Sequence, residues 1–171
     1  MNTMEAILTR RSVRRYTDQK VEPETVEQLL KAAMYAPSAH DSRDWQFIVL
    51  RDAAVRENIA ALLPWYKPIE RAPVCILVCG EPSVQESSHK DYFVQDCSAA
   101  TQNLMLCAHE LGLGTCWCGL YPQTDVMDAV RKILGIPAAV VPFAFIAVGY
   151  PAKTYGMPER FDPKKIHMEK W

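Results

Sequence analysis

The run YFVQDCSAATQNLMLCAHEL, residues 92–111, limits the fold more than any other segment. Glycine and proline are absent from it, and apolar or small side chains fall on nearly every face when it is wound as a helix. Such a helix cannot lie on a surface with one side in water; it belongs in the middle of something. Three apolar runs, WQFIVL (residues 45–50), VCILVCG (74–80) and FAFIAVGY (143–150), are too short for buried helices and read as buried strands. A shorter run, GTCWCG, reads as a fourth strand. Long helices around a small apolar sheet make an α+β protein.

Further helices are predicted around this centre. The first runs from Thr3 to about Arg10, with Met4, Ile7 and Leu8 on one side. In the second, Pro23 suits the first turn, Val26, Leu29, Leu30, Ala33 and Met34 recur at helical spacing, and Pro37 ends the helix. Asp52 can cap a third that ends near Pro64, and residues 125–134 form another. After Tyr150 the periodicity stops. The tail PAKTYGMPERFDPKKIHMEKW still carries Tyr155, Phe161, Ile166, Met168 and Trp171, more apolar weight than a disordered end usually holds. It reads as an extended arm docked on something, with a partner subunit as the candidate.

The 171 residues fit one domain, with 49% hydrophobic and 23% charged residues. A net charge of -1 offers no electrostatic reason for nucleic acid or a membrane surface as partner. The N-terminus turns basic where an export signal would turn apolar, so the chain is expected to be cytoplasmic. The six cysteines, Cys75, Cys79, Cys97, Cys107, Cys116 and Cys118, have apolar neighbours and no zinc spacing; they read as buried reduced thiols, and no metal is expected.

Three segments can carry chemistry. RRSVRR, residues 10–15, sets four arginines around Ser12; forked guanidinium donors suit phosphate and polar ring edges, although a solvated basic patch has the same composition. Residues 36–45, APSAHDSRDW, are either an ordinary helix-to-strand connection or a loop that lets backbone approach a flat ligand, with Ser38 available for hydrogen bonds. Residues 112–122, GLGTCWCGLYP, lack the third glycine of a dinucleotide fingerprint; Gly112 and Gly114 read as helix-terminating residues, and Gly119 draws more interest. There is no phosphate-binding GxxxxGK[ST] loop and no GxSxG elbow. His40, His89, His109 and His167 are scattered, and His109 reads as a structural histidine.

The RRSVRRY opening, the APSAxxSxxW loop, the DCSAATQNLMLCAHELGLGTCW block and the ERFD…W tail, in that order, resemble the nitroreductase family of FMN enzymes. The resemblance covers nearly the whole chain. It implies a small, mostly antiparallel sheet flanked by long helices, in an intertwined homodimer with one FMN at each end of the shared interface. Residues 1–150 would then be a single FMN-binding domain, and residues 151–171 an arm on the partner subunit. Carried over by position, Arg10, Arg14 and Ser12 hold the phosphate and the pyrimidine edge of the ring, with Arg11 sharing that role. Pro37, Ser38 and Ala39 belong to the loop that the partner lays against the flavin. Cys118 and Gly119 turn backbone N–H groups to flavin N5 and O4, and Arg160 completes the phosphate site.

The same resemblance implies a ping-pong oxidoreductase. Hydride from NAD(P)H passes through flavin N5 to a small electron-poor acceptor such as a nitroaromatic, a quinone or another metabolite. No protein acid, base or nucleophile is needed, and Arg14 stabilises the negative charge of the reduced ring. A flavin-binding sensor or carrier with little turnover is the other reading. Where many relatives read asparagine, glutamine and proline, this chain has Asp41, Arg43 and Asp44. A carboxylate at Asp41, beside the flavin, disfavours the reduced ring unless Arg43 or Arg10 pairs with it.

Overall fold

The computed structural model describes residues 1–85 and 87–171; the side chains of residues 87–89, that of His89 included, lie outside the description. Four strands, β1 (Trp45–Leu50), β2 (Val74–Gly80), β3 (Gly114–Gly119) and β4 (Val141–Gly149), form one sheet in the order β1-β2-β4-β3. Every pairing is antiparallel. The two central strands are buried almost end to end because both faces of the sheet are covered, which is why their sequences are apolar without alternation.

One face packs under α2 (Pro23–Met34) and α5 (Phe93–Glu110). Ile76, Val78, Ala144 and Ile146 meet Leu29, Ala100, Leu104 and Ala108 there. The other face packs under α3 (Ala53–Ala60), α4 (Lys67–Arg71) and α6 (Thr124–Leu134). On that side Cys75, Leu77 and Phe145 meet Ile59, Ile69 and Val130. Each fully buried leucine or isoleucine contributes roughly 1.5–3 kcal/mol, and the two clusters hold the sheet between them.

The central helix differs from expectation in one respect. Its inner side is buried at Phe93, Cys97, Ala100, Leu104 and Ala108, but Val94, Ala99 and Cys107 are only half-buried, and Gln95 and Gln102 are exposed. A helix apolar on nearly every face is therefore covered on one side within one chain. The stretch after Asp52 also differs. Its side chain caps α3 by accepting from Val55 N–H at 3.1 Å, but the helix stops at Ala60; Pro64 then opens a 3-10 turn into α4, which the pattern did not predict.

Both chain ends meet at the β3 edge. After α1 (Thr3–Thr9), Ser12 bridges Thr115 and Val13 N–H donates to Thr115 O at 2.8 Å. Val13 sits over Gly114, where an added Cβ would lie 2.5 Å from Val13 Cγ2. Close approach, not helix termination, is thus the role of Gly114; Gly112, at φ +77°, ends α5. The tail returns to the same edge: Thr17 N–H donates to Tyr150 O at 2.9 Å, Ala152 N–H to Arg15 O at 3.1 Å, and Arg11 Nε to Gly156 O at 2.7 Å. Beyond residue 156 the tail carries exposed Met157, Phe161, Ile166, Met168 and Trp171. Among the described residues no helix is long and apolar enough to cross a membrane.

Candidate cofactor site

A cavity of about 470 Å³ opens between the end of α1, the last turn of α5, the start of β3 and residues 151–155. Thr9, Arg10, Arg11, His109, Lys153 and Tyr155 bring its polar groups, while Val13, Leu113 and Pro151 supply apolar wall. Arg10 is its most telling member. One of its terminal nitrogens, Nη1, is buried without a hydrogen-bond partner. Burial, then the cations Arg160 and Arg11, hold the guanidinium below its ordinary pKa, so charges from both ends of the chain press on one group. A buried donor left unpaired among like charges is unfavourable, and an anion in the cavity relieves both penalties.

Sequence reasoning named none of Thr9, His109, Lys153 and Tyr155 as site residues. Lys153, whose ammonium lies 5.2 Å from the Tyr155 ring centre, and Tyr155 come from a tail without periodicity; their signal was only the tail's cationic and aromatic content. Thr9 looked like ordinary helix surface.

Arg14 lies on the solvent side of the 12–16 segment, its Nη1 donating to Ser12 O at 3.4 Å. Tyr155 Oη accepts from Arg14 N–H at 3.5 Å, tying the tail to this segment. Further along β3, Thr115 O faces Val13 and hence away from β4. The alternation of an antiparallel ladder turns the backbone of Trp117 and Gly119 outward as well, and that of Cys118 inward against Phe145. Of the two predicted residues, Gly119 is therefore the one whose amide faces outward. It is exposed, nothing lies within 4 Å of an added Cβ, and its carbonyl is anchored by the Tyr66 hydroxyl at 3.0 Å. The Cys118 thiol points into the core, and its hydrogen bond with the Cys116 thiol, and then burial, push its pKa up.

The loop with Pro37, Ser38, Ala39 and Asp41 is built differently. His40, Asp41 and Arg43 have φ near +50°, a region costing non-glycine residues roughly 1 kcal/mol each. Several contacts hold it there. Asp96, in the first turn of α5, accepts Ala39 N–H at 3.0 Å and the Ser42 hydroxyl at 3.4 Å. Ser38 Oγ accepts Arg43 N–H at 3.0 Å, and Gln85 Nε2 donates to both Asp44 and Asp96. Burial, and then Asp96, push the Asp44 carboxyl up. Asp41, in contrast, forms an exposed two-pronged ion pair with Arg43 at 2.8 and 2.6 Å, and that hydrogen bond holds its carboxyl below the usual range.

Within one chain the loop is remote from the arginines. Asp96 and His109 are 13 residues apart on α5, about 20 Å of helix. The loop feeds β1, and β1 and β3 are opposite edges of the sheet, three strand spacings or about 14 Å apart. The predicted site residues thus form two groups: Arg10, Arg11, Ser12, Arg14, Cys118, Gly119 and Arg160 along one edge, and Pro37, Ser38, Ala39 and Asp41 at the other.

The family model for the nitroreductase family matches residues 7–65 and 61–150. The chain belongs to the nitroreductase family. A nitroreductase-family protein of Methanothermobacter thermautotrophicus, named "Putative NADH dehydrogenase/NAD(P)H nitroreductase", is 45% identical over 100% of this chain and 88% of its own length. A crystal structure of a Parabacteroides distasonis protein with the same name superposes with a TM-score of 0.94 at 37% identity, covering 100% of both chains. A further relative, from Desulfovibrio desulfuricans, was crystallised in complex with FMN; it has a TM-score of 0.83 and 31% identity, over 100% of this chain and 99% of the other.

Proposed function

We propose that two copies of this chain form an NAD(P)H-dependent flavin oxidoreductase, each FMN lying along the β3 edge of one copy and beneath the 37–41 loop of the other. The observation that carries this reading is Arg10 Nη1, buried and unpaired where Arg160 and Arg11 converge. Bound FMN would supply the two-electron chemistry. Burial pushes the Cys75, Cys79, Cys97 and Cys107 thiols up, so none of these is a ready nucleophile.

In this arrangement Arg10, Arg11 and Arg160 bind the phosphate as forked donors. Ser12 and Arg14 orient the pyrimidine edge, where the Arg14 charge favours the electron-rich form of the ring. The 118–119 backbone reaches the opposite edge through the outward Gly119 N–H. Pro37, Ser38, Ala39 and Asp41 of the second copy close the site from above, which accounts for their distance from the arginines within one chain. Residues 1–150 make up the FMN-binding unit. Residues 151–171 are its arm: 151–156 are stitched to their own chain, and the exposed apolar side chains after 156 meet the partner. The half-covered outer side of α5 joins the same interface.

We further infer a ping-pong order: NAD(P)H reduces the flavin, leaves, and a small electron-poor acceptor such as a nitroaromatic or quinone takes its place. The purified protein should be yellow and twice the chain mass in solution. Anaerobic NADH or NADPH should bleach it within seconds, a quinone or nitrofurazone should restore the colour, and initial rates should give parallel double-reciprocal lines. A colourless monomer, or a flavin that stays oxidised under excess of both nucleotides, would refute the reading; intersecting lines would refute the order alone.

A further inference from the structure

His109, on the last turn of α5, lines the same cavity as Arg10 and Arg11. Its protonation state can be worked out from one neighbour. The Thr9 hydroxyl oxygen lies 2.6 Å from Glu5 O and 2.7 Å from His109 Nε2. A hydroxyl has one proton, and the Glu5 carbonyl can only accept, so Thr9 gives its proton there. His109 Nε2 must then donate to Thr9. The neutral ring carries its proton on Nε2 and leaves Nδ1 bare, and a second proton can enter only at Nδ1.

The charges around the ring come from four directions. Glu5 belongs to α1, and Arg10 and Arg11 to the segment after it. Glu110 follows on α5, its carboxylate held at 2.9 Å by the N-terminal ammonium of Met1. Lys153 and Tyr155 line the cavity from the returning tail. Burial, then Arg10 and Arg11, hold the imidazole below its ordinary pKa, against the opposing pull of Glu110 and Glu5. Without an anion, the same cations that would attract one disfavour the imidazolium.

We propose that His109 is the titrating member of the anion site: when a phosphate monoester enters the cavity, the ring takes a proton from solvent at Nδ1 and becomes a further cation beside Arg10 and Arg11. The physical basis is the charge the ligand adds. A phosphate carries nearly two negative charges at neutral pH, which offset the repulsion from the nearby guanidinium groups and favour the imidazolium. Linkage makes the effect reciprocal: each unit by which binding raises the histidine pKa tightens binding tenfold for the protonated protein. The inference rests on reading this cavity as the FMN phosphate site.

The test follows the His109 ring signals by NMR across pH 5 to 8 in the full-length protein: cofactor-free, with FMN, and with riboflavin, which lacks the phosphate. The expected result is a pKa below about 6.5 without cofactor, rising by about one unit or more with FMN and not with riboflavin. FMN affinity of wild type and His109→Gln is then compared at both ends of that range, since the phosphate's own second ionisation affects both proteins equally. Glutamine keeps an N–H for Thr9. Wild type should gain on the order of tenfold over the variant on the acid side. An unchanged His109 pKa in a protein that binds FMN would overturn the proposal and leave the cofactor reading standing. An equal rise with riboflavin would remove the phosphate as the cause, and failure to bind FMN at all would overturn both.

Discussion

At the residue scale, the arginines divide by what surrounds them. Arg10 is half-buried with an unpaired nitrogen, whereas Arg11 already donates to Leu8 O, Arg10 O and Gly156 O at 2.6–2.8 Å and so helps build the wall of the site. Replacing Arg10 or Arg160 by alanine should weaken FMN binding by roughly 1–3 kcal/mol each, the range for charge-assisted hydrogen bonds; fluorescence titration of the cofactor-free protein measures it. Asp41 and Arg43 neutralise each other, so removing either leaves a net charge on the loop. Asp41→Asn should raise the flavin midpoint potential and Arg43→Gln should lower it, each by on the order of tens of millivolts, as read by spectroelectrochemistry. Potentials that stay unchanged in both variants would place the loop away from the ring. The arginine cluster was legible because its members are four in six consecutive residues; the place of His109 in the cavity was not, because its neighbours come from α1 and the tail, which its local sequence does not reveal.

At the element scale, the 37–43 loop is a strained segment held by another element. Three residues at positive φ cannot keep that shape through local preference, and Asp96 on α5 supplies the external hold. Asp96→Ala should leave Ala39 N–H and the Ser42 hydroxyl without their acceptor, destabilise the protein by about 1–3 kcal/mol and speed amide exchange at Ala39. Slow exchange at Ala39 in that variant would show that the local turns suffice. The loop could be recognised from APSAHDSRDW, but not its anchor, since Asp96 lies more than fifty residues away in a run that otherwise reads as apolar helix. The principal strands and the central helix were legible for the opposite reason: burial on both faces selects long apolar runs that stand out in a single sequence.

At the scale of the whole molecule, apolar side chains among the described residues stay exposed on the α1 face with Met4, Ile7 and Leu8 and along the tail after residue 156, and the outer side of α5 is only half-covered. A stop after Tyr150 removes the 151–156 stitching and Arg160 as well as the apolar arm, so the truncated protein should lose FMN and shift towards monomer by sedimentation. A truncated yellow dimer would show that the arm is dispensable for both.

By itself the sequence determined the α+β class, the buried strands, the central helix and the basic opening, because each is written in contiguous residues with its own periodicity or charge. Only the tertiary structure decided that the Arg160 charge presses on Arg10, that Gly114 makes room for Val13, and that the 37–41 loop lies far from the arginines of its own chain. Those facts depend on which strand occupies which edge of the sheet and on how far α5 runs, and packing of distant segments sets both.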